Sequence, residues 1–214
     1  MNVCLAGVEQ RVSTVFCIGR NYAAHAAELG NAMEEEPVVF LKPAAALLQG
    51  GQPLQLPAFS QDVHYECELL VLIGRDADNI HEADALQYVA GYGIGLDLTA
   101  RDVQTEVKAK GLPWTKAKGF RGAACVSTFV PAGELDPLAA RFTLQVNGQL
   151  RQQGDTTLMR FSVPYIVSYL SQVYGLRAGD VIFTGTPEGV GQLHAGDVLQ
   201  LDLGVVQAQW QVAV

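Results

Sequence analysis

The sequence predicts an α+β, strand-rich fold in which a mixed β-sheet is rolled or sandwiched on itself and accompanied by a few short helices. Short apolar or alternating segments, separated by small groups of glycine and proline, recur along the chain and are typical of strands joined by tight connections. Helical segments are fewer and do not alternate with strands, so the βαβ rhythm of a parallel sheet is missing. The length of 214 residues, 49% of them hydrophobic, is sufficient for one domain with its own core.

The strands are identified by alternation and by their β-branched residues. The segment FTLQVNGQLRQQG alternates on both sides of Asn147-Gly148, which is the strongest short signal for a hairpin with a type I′ turn. The segment HYECELLVLIG ends in a continuous apolar run, as expected for a strand that is covered on both faces. Besides the hairpin, we expect strands over 64–74, 181–186, 197–203 and 206–214.

We expect helices over 21–29, 99–110 and 163–174. Alanines indicate the first, although its apolar face is thin. The second begins with Thr99 and Asp102 at the spacing of a capping box, and it ends at a glycine shortly before a proline. The third follows Ser162 as its N-cap, carries a proline in its first turn and presents one apolar face.

Composition and charge exclude several classes of partner. The formal net charge of −8 at pH 7 argues against nucleic acid or an anionic membrane surface as the main partner, because both require a basic footprint. No apolar run reaches the roughly 18 residues of a membrane span, and the first residues do not have the pattern of a signal peptide. The four cysteines are scattered and form no C-x-x-C pair, which is typical of reduced thiols. We therefore expect a cytoplasmic protein with one domain over 1–214.

Two carboxylates lie close together on one predicted strand. Side chains alternate along a strand, so His64, Glu66 and Glu68 should face the same way. Two like charges about 4 Å apart repel by roughly 4 kcal/mol at an effective dielectric constant near 20. A protein avoids this by protonating one group, by exposing both groups to solvent or by binding a cation. These residues alone do not decide between a solvent-exposed polar face and a cation site.

Asp97 makes a cation site the more attractive interpretation. It ends the glycine-rich stretch GYGIGLD, and because Thr99 is expected to cap the following helix, Asp97 has no obvious structural task. Two glutamates and one aspartate form an all-oxygen set suited to Mg²⁺, Mn²⁺ or Ca²⁺, whereas zinc prefers nitrogen and sulfur. Three carboxylates and one divalent cation leave a charge of about −1, so nearby cations are needed before an anionic substrate can bind.

His25 and Glu28 form a second candidate pair. Their spacing of i, i+3 places both side chains on the same side of one helical turn. A carboxylate that orients an imidazole is the usual arrangement of a general base that acts on water. An exposed surface pair is the more common explanation for such a spacing, but this one follows Gly19-Arg20-Asn21-Tyr22 in a segment, about 19–36, that is plausible as a lid.

These segments together resemble a known family. They occur in order over about 18–197: IGRNYAAHAAELG, EPVVFLKP, VHYECEL, GLDLTARDVQ, GLPWTKAKGF, VNGQLRQ and VIFTGTPEGVG. As a set they resemble the fumarylacetoacetate hydrolase family, and within it the small single-domain acylpyruvate hydrolases and oxaloacetate decarboxylases. The resemblance implies the family's mixed β-roll and a homodimer.

The resemblance also implies roles for individual residues. Glu66, Glu68 and Asp97 match the family's ligands for Mg²⁺ or Mn²⁺. His25 and Glu28 match the pair that activates water. The implied substrate contacts are Lys118 first, and then Arg20, Arg101, Gln104 and Thr186.

The implied activity is metal-dependent cleavage of the C–C bond of an acylpyruvate by water, giving pyruvate and a carboxylate by way of a pyruvate enolate. The partner is thus a small anionic 2-oxo acid. Decarboxylation of oxaloacetate passes through the same enolate without water, and keto–enol tautomerisation of oxaloacetate is a third use of the same site. A non-catalytic, metal-stabilised binding domain is the alternative from another class.

Overall fold

The computed structural model describes residues 1–28, 30 and 34–214, so 29 and 31–33 of the predicted lid lie outside the described residues. Strands β1 to β17 run in chain order over Asn2–Leu5, Val8–Arg11, Val15–Gly19, Val38–Lys42, Leu47–Gln49, Val63–Tyr65, Cys67–Ile73, Val89–Asp97, Thr99–Ala100, Ala124–Val126, Val130–Pro131, Arg141–Val146, Gln149–Asp155, Val181–Phe183, Gly191–Gln192, Val198–Asp202 and Gln207–Gln211. Helices α1 to α4 run over Ala23–Glu28, Arg101–Ala109, Thr115–Lys118 and Val163–Val173. Short 3₁₀ helices cover Ala44–Ala46, Glu82–Tyr88, Ala132–Glu134 and Thr156–Leu158.

The largest sheet is mixed and has the strand order β4-β3-β14-β7-β8-β10-β5, with β11 also paired to β8. β14 is parallel to β3 and β10 is parallel to β5, whereas the other pairs are antiparallel. β7 lies at its centre and is buried along its whole length, as its continuous apolar run predicts.

A second, antiparallel sheet with the order β13-β12-β16-β17 packs on the first, since β12 contacts β7, and β16 and β17 contact β8. Trp210 of β17 is 1% exposed between the two sheets. The smaller sheets are β15-β6-β9 and β1-β2. This strand-rich arrangement confirms the predicted mixed sheet that is rolled on itself with a few short helices.

Most predicted elements are present with small changes of boundary. The hairpin turns at Asn147 and Gly148, whose φ angles of 54° and 73° are those that a type I′ turn requires. Ser162 caps α4, since its Oγ accepts a hydrogen bond from the Tyr165 N–H. The predicted strand over 64–74 is instead broken at Glu66 into β6 and β7, because β6 pairs with β9 and β15 outside the main sheet.

The prediction that Thr99 caps the second helix is wrong. Thr99 and Ala100 form β9, which pairs with β6, and the helix begins at Arg101 without a side-chain cap. Asp102 accepts hydrogen bonds from the Ser60 hydroxyl and from the Gln61 N–H. Pairing between β6 and β9 overrides the local capping signal. Capping by Thr99 is therefore not the reason that Asp97 is left without a capping role.

None of the helices in the described part of the chain is long and apolar enough to cross a membrane. All four cysteines are unpaired, and Cys17, Cys67 and Cys125 are buried, in agreement with the reduced thiols expected from their scatter.

The alternating glycines of β8 allow two strands to approach it closely. A Cβ atom at Gly91 would lie 2.3 Å from the Val130 carbonyl oxygen, and one at Gly95 would lie 2.2 Å from the Cys125 carbonyl oxygen. Real Cβ atoms do not come this close to backbone, so only glycine fits at these positions. The glycines therefore set the path of β10 and β11 beside the strand that ends at Asp97.

Gly95→Ala should lower the free energy of unfolding by about 1–3 kcal/mol, because the added methyl group forces the backbone of β10 away from β8. Urea unfolding measures this change. Gly133→Ala is the matched control, since a Cβ atom there meets nothing within 4 Å. Equal stability of the two variants would contradict the packing argument.

Candidate active site

A cavity of about 440 Å³ opens where the ends of β3, β7 and β8 meet helices α2 and α3. Its size suits a small organic acid. Of the ten residues predicted from the sequence, all but Glu28 line this cavity. Those nine are Arg20, His25, Glu66, Glu68, Asp97, Arg101, Gln104, Lys118 and Thr186.

Three carboxylates form the inner wall of the cavity. One oxygen atom from each of Glu66, Glu68 and Asp97 can be chosen so that all three lie within 4.8 Å of one another. The three residues are 5%, 2% and 1% exposed, respectively. The backbone brings them together, because the Asp97 N–H donates to the Glu66 carbonyl at 2.8 Å and Glu68 lies opposite Gly95 in the pairing of β7 with β8.

Three cations surround the carboxylates. The Lys118 Nζ donates to Glu66 Oε2 at 2.7 Å and to Asp97 Oδ2 at 2.6 Å. The Arg101 Nη2 donates to Glu66 Oε1 at 2.6 Å, and its Nη1 donates to Gln104 Oε1 at 2.7 Å. Lys42 approaches from behind the cavity, with its Nζ 2.6 Å from Asp97 Oδ1. The three acidic and three basic side chains therefore balance when all of them are charged.

The carboxylates respond differently to this environment. Burial opposes the ionisation of Glu66, but Lys118 and Arg101 outweigh it and hold its pKa well below the usual value. Burial and the charges of Asp97 and Glu66 raise the pKa of Glu68 well above the usual value. Burial alone would lower the pKa of Lys118, yet Asp97 and Glu66 raise it. Glu68 is thus the carboxylate that the surrounding cations do not satisfy.

The donor set fits a divalent metal ion. Carboxylate oxygens are the ligands that Mg²⁺ and Mn²⁺ prefer, and the three groups are buried and adjacent. Both oxygen atoms of Asp97 already lie against cations, with Oδ1 2.6 Å from the Lys42 Nζ and Oδ2 2.6 Å from the Lys118 Nζ. Burial, and after it repulsion by Asp97 and Glu66, raises the pKa of Glu68, and a divalent ion between the three carboxylates would relieve that repulsion.

His25 and Glu28 form the pair that their spacing predicts. Glu28 Oε2 lies 3.3 Å from His25 Nδ1, and the Gly189 N–H donates to Glu28 Oε1 at 3.1 Å. Glu28 itself does not line the cavity, whereas His25 is 6% exposed and does. With Nδ1 donating to Glu28, His25 Nε2 is the nitrogen left to accept a proton.

The hydroxyl group of Thr186 is held by two buried neighbours. It donates to the Cys67 carbonyl at 2.8 Å and accepts from the Gln152 Nε2 at 2.9 Å. The Gln152 Oε1 accepts from the Cys67 N–H at 2.9 Å, which fixes the orientation of the amide. Since its hydrogen is already used, Thr186 offers a bound molecule one acceptor lone pair.

Arg20 begins the segment between β3 and α1 with a φ of 59°, a left-handed conformation that is uncommon for this residue type. Its guanidinium is paired with Glu34. The following Asn21 is fully buried and ties this segment to the site loop, because its side chain donates to the Thr184 carbonyl at 2.8 Å and to the Phe161 carbonyl at 3.0 Å.

Several residues that shape the site have no local signal in the sequence. Lys42 ends an apolar strand without any local sign that its side chain would be buried, and Asn21 and Gln152 act through contacts distant in sequence. The expectation that His64 faces the same way as the two glutamates is not met, because the strand breaks at Glu66. The His64 ring instead lies 2.8 Å from Asp62 outside the cavity.

Comparison with known proteins agrees with the sequence motifs. The family model described as "Fumarylacetoacetate (FAA) hydrolase C-terminal" matches residues 14–212. The chain is 49% identical over 200 residues to "Oxaloacetate tautomerase FAHD1, mitochondrial" of Rattus norvegicus, which covers 92% of this chain and 90% of the relative. It is 43% identical over 188 residues to "Oxaloacetate decarboxylase, mitochondrial" of Dictyostelium discoideum, which covers 87% of this chain and 86% of the relative.

The fold agrees equally well with a solved structure. The crystal structure of fumarylpyruvate hydrolase from Pseudomonas aeruginosa in complex with Mn²⁺ and pyruvate superposes with a TM-score of 0.95 at 37% identity. It covers 100% of this chain and 96% of the other. On these matches, the chain belongs to the fumarylacetoacetate hydrolase family of enzymes.

Proposed function

We propose that this enzyme interconverts the keto and enol forms of oxaloacetate. The observation that carries the proposal is that the His25 imidazole shares one cavity with the acidic cluster and with Lys118. Tautomerisation needs a group that moves a proton at C3 and cations that stabilise an enolate oxygen. The 49% identity to an oxaloacetate tautomerase supports this choice of substrate.

In this proposal His25 Nε2 takes a proton from C3 of the keto form. The imidazolium then returns a proton to the enolate oxygen, which gives the enol and restores the neutral imidazole. The reverse sequence restores the keto form, so no atom is gained or lost. Lys118 offsets the negative charge that develops on oxygen. A divalent ion held by Glu66, Glu68 and Asp97 would supply Lewis-acid polarisation of the 2-oxo group when bound.

The positive charge lining the cavity supports a substrate with more than one negative charge. Arg20, Arg101 and Lys108 all line it. Partial burial, followed by the charges of Arg20 and Arg101, lowers the pKa of Lys108, so these cations are close enough to repel one another. A second carboxylate on the substrate, as in oxaloacetate or fumarylpyruvate, would relieve this repulsion, whereas acetylpyruvate has only one carboxylate.

Hydrolysis of acylpyruvates is the second candidate. It is favoured by the fixed contact between His25 and Glu28, which is the arrangement that activates water, and by the similarity to a fumarylpyruvate hydrolase. Decarboxylation of oxaloacetate would use the same cavity without activated water, and a relative with that name supports it. The homodimer, the cytoplasmic location, the single domain over 1–214 and the choice between Mg²⁺ and Mn²⁺ stay predictions.

The rate of enol–keto conversion of oxaloacetate, monitored by the absorbance of the enol, tests the proposal. The wild type should accelerate it above buffer, lose the activity in chelator and regain it with Mg²⁺ or Mn²⁺. His25→Asn should lower kcat by about 10²-fold or more, because it removes the proton-moving group. His194→Asn, with a side chain that is 70% exposed, is the control. If the protein shows no turnover and chelator changes only its melting temperature, it is the non-catalytic, metal-stabilised domain.

Glu28→Gln separates the two candidate reactions. It leaves the shape of the side chain but weakens the contact that orients His25, which matters most when water is activated. We expect hydrolysis of acetylpyruvate and fumarylpyruvate to fall by about 10²-fold and oxaloacetate tautomerisation by less than about tenfold. Steady-state rates on all three substrates measure this, with exposed Glu35→Gln as the control. Equal losses would count against a water-activating role of the pair.

A further inference from the structure

Lys42 is a buried cation that the reaction described above does not use. Its side chain has no solvent exposure, and it lies behind the carboxylates rather than among the residues that line the cavity. The Nζ is 2.6 Å from Asp97 Oδ1, donates to the Leu98 carbonyl at 3.2 Å and also donates to the Lys118 carbonyl. This ammonium is thus fixed to the end of β8 and to the end of α3 at once.

A buried ammonium at this position has two consequences for ligands of the site. Since it engages Asp97 Oδ1 from outside the cavity, Asp97 is held with Oδ2 toward the cavity, where Lys118 contacts it. Its positive charge also opposes the binding of a cation and favours the binding of an anion, because a buried charge is weakly screened.

The charges of the site show what Lys42 adds. When all six groups are charged, Lys42, Lys118 and Arg101 offset the three carboxylates. A divalent ion adds two positive charges to this set. Loss of Lys42 removes one positive charge, which leaves a weaker attraction for an anionic ligand.

We propose that Lys42 is a positioning residue that sets the charge of the site: it weakens the binding of the divalent cation and strengthens the binding of the 2-oxo acid anion. The anion part of this proposal rests on the proposed function. A merely structural role predicts something different, since loss of a structural contact would weaken the binding of both ligands.

Lys42→Met tests the proposal, because it keeps an unbranched side chain only one atom shorter and removes the charge. Two dissociation constants are measured: that of Mn²⁺ for the metal-free protein, from the electron paramagnetic resonance of free Mn²⁺, and that of pyruvate for the Mn²⁺-loaded protein, by calorimetry. The Lys42 charge lies 2.6 Å from an oxygen of the proposed ligand Asp97. Its removal should lower the dissociation constant of Mn²⁺ by at least about tenfold and raise that of pyruvate by at least about tenfold.

Lys42→Gln provides a second uncharged variant that keeps a hydrogen-bond donor, in case Lys42→Met does not fold. Lys42→Arg keeps the charge and should move both constants back toward the wild-type values. Lys116→Met is the matched control, since Lys116 is exposed on the same helix as Lys118, and it should change neither constant.

An unchanged or weaker affinity for Mn²⁺ in a folded, uncharged variant overturns the role of Lys42. If the Mn²⁺-loaded wild type does not turn over oxaloacetate, the proposed function is wrong. The Mn²⁺ dissociation constants of the wild type and the uncharged variants then still decide whether Lys42 weakens cation binding. Opposite shifts of the two constants in the uncharged variants support the proposal.

Discussion

Three carboxylates that are almost completely buried, with oxygen atoms within 4.8 Å of one another, are the constraint around which the site is built. Burial of like charges is unfavourable unless cations compensate them. Against the effect of burial, Lys118 and Arg101 hold the pKa of Glu66 low, whereas burial and the charges of Asp97 and Glu66 raise the pKa of Glu68. The all-oxygen donor set suits a divalent ion.

The fold holds this arrangement through contacts that lie outside the cavity. The glycines of β8 let β10 approach closely, so the strand that carries Asp97 is fixed on both sides. Asn21 and Gln152 tie two distant segments to the loop that follows β14, which contains Thr186 and Gly189. Through Gly189 the same loop holds Glu28, and through Glu28 it holds His25. Proton chemistry and cation binding therefore depend on one set of backbone positions.

The sequence predicted those parts of the fold and site that local periodicity or a contiguous motif records. Alternation gave the hairpin, and the motifs gave nine residues that do line the cavity. Prediction from the sequence failed where pairing between distant strands decides the local structure. Thr99 joins a strand instead of capping a helix, and the break at Glu66 separates His64 from the glutamates. Lys42 could not be predicted, since its burial depends on where β4 places it behind Asp97.

We expect the three carboxylates to hold one divalent ion between them. The decisive experiment is anomalous diffraction at the manganese edge from crystals of the wild-type protein soaked in Mn²⁺. We predict one strong peak about 2.0–2.3 Å from an oxygen atom of each of Glu66, Glu68 and Asp97. If no peak lies among these residues at a saturating Mn²⁺ concentration, or if the strong peak lies elsewhere in the protein, the three carboxylates do not form the metal site.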